Sequence, residues 1–129
     1  MSVDCSDRID LLPETSSVAQ VRVFVRRCLS KWGLDDLVDV VALLANEVAT
    51  NAVLHARTTY AVVIAHTRQG VRVDVLDCSH QRPAVRRTQP DDMFGRGLPL
   101  VIAFASEWGP TPTRDLKGFA KGVRFTICT

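Results

Sequence analysis

Apolar residues recur along the chain in two rhythms, and the change from one to the other divides it into elements. Residues 8–12 (RIDLL) make a short stretch stopped by Pro13 and predict an edge strand. In SSVAQVRVFVRRCLSKWG the apolar positions Val18, Val21, Val25, Cys28, Leu29 and Trp32 fall three or four apart, while Arg22, Arg26 and Lys31 take the other side. That spacing predicts an amphipathic helix, with Ser17 and Gln20 as a capping box at its start and Gly33 at its end. A second helix is expected from Asp35 or Asp36 to about Ala56, with Leu37, Val41, Leu44, Val48 and Ala52 as its main stripe.

The period then drops to two. YAVVIAHT and VRVDVLD, separated by RQG, predict a β-hairpin. Val71, Val73 and Val75 alternate with Arg72 and Asp74, and Asp77 continues the valine phase, so a carboxylate is expected to project from the buried face at the strand's end. Residues 78–96 (CSHQRPAVRRTQPDDMFGR) have no period and predict a long loop. LPLVIAFASEWG predicts another helix, with Pro99 in its first turn and Gly109 near its end. A strand within 107–113, a polar turn (TRDLKGFAKG) and a last strand, in which Val123, Phe125 and Ile127 alternate with Arg124 and Thr126, complete the chain. Consecutive strands joined by tight turns imply an α/β (α+β) two-layer sandwich, a mostly antiparallel mixed sheet with helices on one face.

Composition narrows the function classes. The 129 residues carry a net charge of +2, which fits one domain and gives no basic excess of the kind that tracks nucleic-acid phosphates. Arg82, Arg86 and Arg87 cluster, but within one loop. Cysteines at 5, 28, 78 and 128 form no CxxC pair and no zinc-ligand spacing, and suit reduced thiols in a cytoplasmic protein. The first ten residues, MSVDCSDRID, lack the features of a signal peptide, and no apolar run approaches the roughly 20 residues of a membrane span. The expectation is a single domain over 1–129 with residues 1–7 flexible, cytoplasmic, touching neither membrane nor nucleic acid.

Three groups of residues carry candidate chemistry. In LLANEVATNAVLHA, Glu47, Asn51 and His55 stand four apart on an otherwise apolar helix. Side chains four apart are neighbours, roughly 6 Å from one another, and this row lies about 100° around from the Leu44, Val48, Ala52 stripe. It borders the core, so its polar heads either reach solvent or face a ligand. If they face a ligand, Asn51 offers a carbonyl oxygen to a hard cation and Glu47 a carboxylate to orient or deprotonate an attacking group in phosphoryl transfer. Asp77, at the floor of an apolar pocket, must find donors: a turn of its own chain, or the N6 amino group of an adenine. In FGRGLPLV, Gly95 and Gly97 flank Arg96 just before a helix, a place for an anion on free N–H groups, or simply a loop. His55 is placed in the packing at the helix end or behind Glu47 and Asn51, and Cys78 in a pocket wall.

NEVATNAVLHA, VLDCS and GRGLPLV, in this order and at these separations, resemble the GHKL (Bergerat-fold) ATP-binding superfamily of gyrase, the heat-shock-90-type chaperones and histidine kinases. More closely, the chain resembles the small stand-alone anti-sigma factor serine kinases, from about residue 8 to 127. The resemblance implies an ATP-binding sandwich in which Glu47 is catalytic, Asn51 coordinates Mg²⁺ and Asp77 binds adenine. It further implies that Gly95, Arg96, Gly97 and Leu98 line the phosphate side and that residues 80–94 form a lid. The implied activity is Mg-ATP-dependent phosphorylation of a serine or threonine on an anti-anti-sigma (STAS-type) protein. The implied partners are that protein, a sigma factor and a second copy of the chain; a nucleotide-gated module that sequesters its partner without kinase activity is the alternative. Two departures stand out. The aspartate box reads Asp77-Cys78-Ser79-His80-Gln81 without glycine, and the last box reads Lys121-Gly122-Val123 where the family places a threonine behind the adenine aspartate.

Overall fold

The computed structural model of the chain describes residues 3–80, 101 and 103–129. Five strands and two α-helices account for most of them: β1 (Val3–Leu11), α1 (Ser17–Lys31), α2 (Val38–Asn51), β2 (Tyr60–Thr67), β3 (Gly70–Asp77), β4 (Glu107–Pro110) and β5 (Lys121–Cys128). The sheet order is β1-β2-β3-β5-β4, and every pairing among the described strands is antiparallel. Both helices pack on one face of this sheet, through the apolar cluster of Val21, Val25 and Leu29 from α1, Val41, Leu44 and Val48 from α2, and Val62, Ile64, Val73 and Phe125 from the strands. The two-layer α/β sandwich is as the sequence implies.

Most of the elements form for the local reasons given above, and the exceptions are informative. Helix α1 ends as its Gly33 predicts. Gly33 has φ +72°, and the N–H groups of Gly33 and Leu34 bond the carbonyls of Ser30 and Leu29, a Schellman closure. Its start differs from the expected capping box. Ser17 is buried inside the first turn, donating from Oγ to the Glu14 carbonyl (2.6 Å) and sharing a hydrogen bond with the Tyr60 hydroxyl. A hydroxyl drawn inward to a buried phenol cannot also cap the exposed helix end. β1 runs five residues further toward the N-terminus than the RIDLL pattern, with Val3–Asp7, expected to be flexible, continuing the pairing with β2.

The long second helix has three parts. A 3-10 turn over Asp35–Leu37 leads into α2, and a π-helical segment, Ala52–Ala56, follows it. Arg57, left-handed at φ 57°, closes the segment with its N–H on the Ala52 carbonyl, five residues back. The whole stretch Asp35–Ala56 is 22 residues, long and apolar enough by length and composition to cross a membrane, contrary to the expectation that no such run exists. Its stripe of Val41, Leu44, Ala45, Val48 and Ala49 is instead buried against α1 and the sheet. Near the C-terminus, Val101, Ala103 and Phe104 are helical, but the predicted helix does not reach Gly109. Glu107–Pro110 pairs with β5 where a strand within 107–113 is expected, and the Ser106 N–H already bonds the Thr126 carbonyl, so it is the helix that ends short.

The outer face of the sheet, away from the helices, is also covered. The segment 111–120, which takes in most of the polar turn expected over 113–122, lies across it, while Lys121 and Gly122 already belong to β5. Thr111 packs over Gly122, where an added Cβ would collide with Leu76 and lie 2.6 Å from the Thr111 hydroxyl. Phe119 lies under the Arg8 guanidinium of β1, 5.4 Å from ring centroid to carbon. Ala61, Val63, Ala65 and Leu76 are buried beneath this layer.

Candidate functional site

Asp77 ends β3 in phase with Val71, Val73 and Val75, which are all in the core, and is itself 6% exposed. It occupies the last rung of the sheet, in a cross-strand row Leu11–Tyr60–Asp77–Lys121. The helix-facing placement that the valine phase predicted is therefore correct. Its Oδ1 accepts the Ser79 N–H at 2.8 Å, its backbone carbonyl accepts the Ala120 N–H at 2.9 Å, and Lys121 Nζ stands 3.5 Å from Oδ2. The turn-cap role and the buried-face role of this carboxylate are thus held by different oxygens: one closes the turn, the other faces a cation.

Glu47 and Asn51 lie one turn apart on α2, both half-buried, at the edge of the stripe Leu44, Val48, Ala49. Among the described residues neither side chain makes a hydrogen bond or an ion pair, so both keep their full capacity for something outside this part of the chain. The topology carries them to the Asp77 end of the sandwich. The π segment after Asn51 and the corner 57–59 lead straight into Tyr60, which pairs with Asp77. The corner is fixed to the end of β3, because the Cys78 N–H donates to Thr58 Oγ1 at 2.9 Å. Helical π segments recur at functional sites, where they re-aim side chains. Here the π turn begins just after Asn51, and His55, expected in the packing at the helix end or behind Glu47 and Asn51, is exposed within it.

Gly95, Arg96, Gly97 and Leu98, together with nearly all of the expected lid 80–94, lie outside the described residues. Among the described residues no three His, Cys, Asp or Glu side chains gather to cage a metal. The donor set fits Mg²⁺ in its nucleotide-bound form, in which one or two protein oxygens suffice and phosphates and waters supply the rest. A half-buried carboxamide with its carbonyl uncommitted is such a ligand. Sequence reasoning missed two residues here. Lys121 was noticed only as a missing threonine, although its phase with Val123, Phe125 and Ile127 places it on the buried face. Thr58 has no sequence signal, since its role depends on the corner.

A second polar cluster lies on the outer face. Asp74, 3% exposed, receives Arg124 Nε at 2.8 Å and the Thr111 hydroxyl at 2.8 Å on Oδ1, with Arg124 Nη2 3.3 Å from Oδ2. Arg124 also donates to Asp115 at 2.8 Å, and that hydrogen bond outweighs desolvation to hold the Asp115 carboxyl below its ordinary pKa. Burial works against the Arg124 charge, but Asp74 and Asp115 together raise its pKa. This cluster fastens 111–120 to the sheet on the face away from Glu47 and Asn51. A groove between β1 and α1, lined by Ile9, Ala19, Gln20, Val23, Phe24 and Arg27, includes none of the site residues.

A family model described as a histidine kinase-like ATPase domain matches residues 11–113, most of the chain. The matched stretch includes Glu47, Asn51 and Asp77 and stops before β5. No curated protein matches the chain.

Proposed function

The chain belongs to the histidine kinase-like ATPase domain family, a membership that implies ATP binding, and from that premise we propose a regulatory protein of the anti-sigma factor type. It uses Mg-ATP to phosphorylate a serine or threonine on a small antagonist protein of the STAS type in the cytoplasm, and it sequesters a sigma factor. The carrying observation is the uncommitted, half-buried pair Glu47 and Asn51 at the end of the sandwich where Asp77 closes the sheet.

In this reading Asp77 accepts the adenine N6 amino group, and Asn51 is the protein's oxygen ligand to Mg²⁺. The metal, when bound, supplies neutralisation of phosphate charge. Glu47 takes the proton of the acceptor hydroxyl as its oxygen bonds to the γ-phosphorus; the bond to the bridging oxygen breaks, and ADP leaves with that electron pair. By the resemblance, Gly95, Arg96, Gly97 and Leu98, outside the described residues, take the phosphate side.

Glu47→Ala tests the assignment. It is expected to retain ATP binding by calorimetry and to lose transfer of labelled phosphate to a STAS-type protein by about a hundredfold or more. A fully active variant removes Glu47 from the mechanism. A second reading, a nucleotide-gated module that sequesters its partner without transferring phosphate, draws on the glycine-free box Asp77–Gln81. Label that stays on the nucleotide in the presence of a tightly bound partner would favour it.

A further inference from the structure

Lys121 is the cross-strand partner of Asp77, on the last rung between β3 and β5, and both project to the helix-facing side. The Lys121 side chain is 21% exposed and that of Asp77 9%, so neither is a solvated surface group. Cross-strand partners are the nearest side-chain neighbours a sheet offers, which fixes their separation. The Nζ–Oδ2 distance of 3.5 Å exceeds the 2.7–2.9 Å of a closed charge-assisted hydrogen bond. The ion pair neutralises the buried carboxylate without closing on it. An ammonium has three donors and no acceptor, and an ionised carboxylate has acceptors only. Side by side on the last rung of the sheet, they present one acceptor and one donor at a fixed spacing.

Adenine presents the complement on its Watson–Crick edge: the N6 amino group donates, and ring N1 beside it accepts. Resting on the nucleotide reading above, we infer that Lys121 is a base-reading residue, donating from Nζ to adenine N1 while Asp77 accepts from N6. Guanine in the same place would turn O6 toward the carboxylate and N1–H toward the ammonium. Both contacts are then mismatched, and buried mismatched polar groups are what reject a wrong ligand most strongly. Lys121 lies beyond the stretch that the family model matches, residues 11–113.

The test pairs atoms of the ligand with atoms of the protein. ATP, 1-deaza-ATP (N1 replaced by C–H) and purine riboside triphosphate (no N6 amino group) are titrated by calorimetry into the full chain and into Lys121→Met and Lys121→Arg. The wild type is expected to bind 1-deaza-ATP on the order of tenfold more weakly than ATP. Lys121→Met should bind ATP about as weakly as that and no longer distinguish the two, while Lys121→Arg restores the difference. Equal wild-type affinity for ATP and 1-deaza-ATP, with dependence on N6 intact, overturns the role of Lys121 and leaves the nucleotide reading standing. An unchanged or tighter affinity of folded Lys121→Met for ATP does the same, since it makes the lysine a mere counter-ion. No wild-type binding of ATP overturns both. The wild-type comparison decides the matter even if a variant fails to fold.

Discussion

Arg124 grips the buried carboxylate of Asp74 from the adjacent strand, with Nε 2.8 Å from one oxygen and Nη2 3.3 Å from the other. Removing one member of such a buried pair costs up to about 3–5 kcal/mol, toward the low end here because Asp74 keeps the Thr111 hydroxyl and Arg72 at 3.7 Å, whereas replacing both by apolar groups costs far less. Arg124→Met alone should therefore lower the urea-derived stability by about that amount, and Asp74→Leu combined with it should recover most of the loss. Additive losses in the two single variants and the double would show that the two side chains do not act as a pair.

Asp115 supplies a pH signature for the same cluster. The Arg124 hydrogen bond holds its folded pKa below the ordinary 3.8 against desolvation. A depressed carboxyl stabilises the fold above its unfolded pKa, and that contribution fades as pH falls through the folded value. Asp115→Asn should be less stable than wild type at pH 6–7, by under about 1 kcal/mol because the group is a third exposed. The gap should close as the pH drops below about 4. Urea midpoints across that range check it, and a gap of constant size would contradict it.

Gly122 sits where Thr111 and the Leu76 side chain leave no room for a Cβ. Gly122→Ala should cost about 1–3 kcal/mol through overpacking, visible as a lower melting temperature. Because Gly122 follows Lys121, the same variant should also weaken ATP binding if the rung is displaced.

Cysteine labelling offers a simple map of the layers. Cys28 is buried between α1 and β1, and burial, aided by the Asp7 carboxylate, pushes its thiol up to about 11. Cys5, Cys78 and Cys128 are exposed. At pH 8 three thiols should react with a small reagent in the native state and the fourth only on unfolding; four equal rates would place Cys28 wrongly.

The inner layer was legible in the sequence because its periods are clean. The valine phase alone put Asp77 on the helix-facing side, and the four-residue spacing put Glu47 and Asn51 at the border of the stripe. What was not legible depends on non-local contacts. Arg72 and Asp74 read as the solvent-side residues of a half-buried strand, yet the outer face is covered by 111–120, whose composition suggests an ordinary turn. The continuous apolar run YAVVIAHT was the one sign that both faces of the sheet are buried. Ser17 scored as a cap because a capping box is a local pattern, but its hydroxyl answers to Tyr60, far along the chain. The π turn that carries His55 and begins just after Asn51 was not legible either, since no short pattern announces it.

The central claim is that Asp77 holds the base of a bound adenine nucleotide. Titrating Mg-ATP into the wild type and into Asp77→Asn, with circular dichroism confirming that both are folded, tests it most directly. The account predicts saturable one-to-one binding by the wild type and its loss, to the limit of the calorimeter, in the variant. Equal affinity of the two, or a wild type that takes up no nucleotide at all, would contradict it.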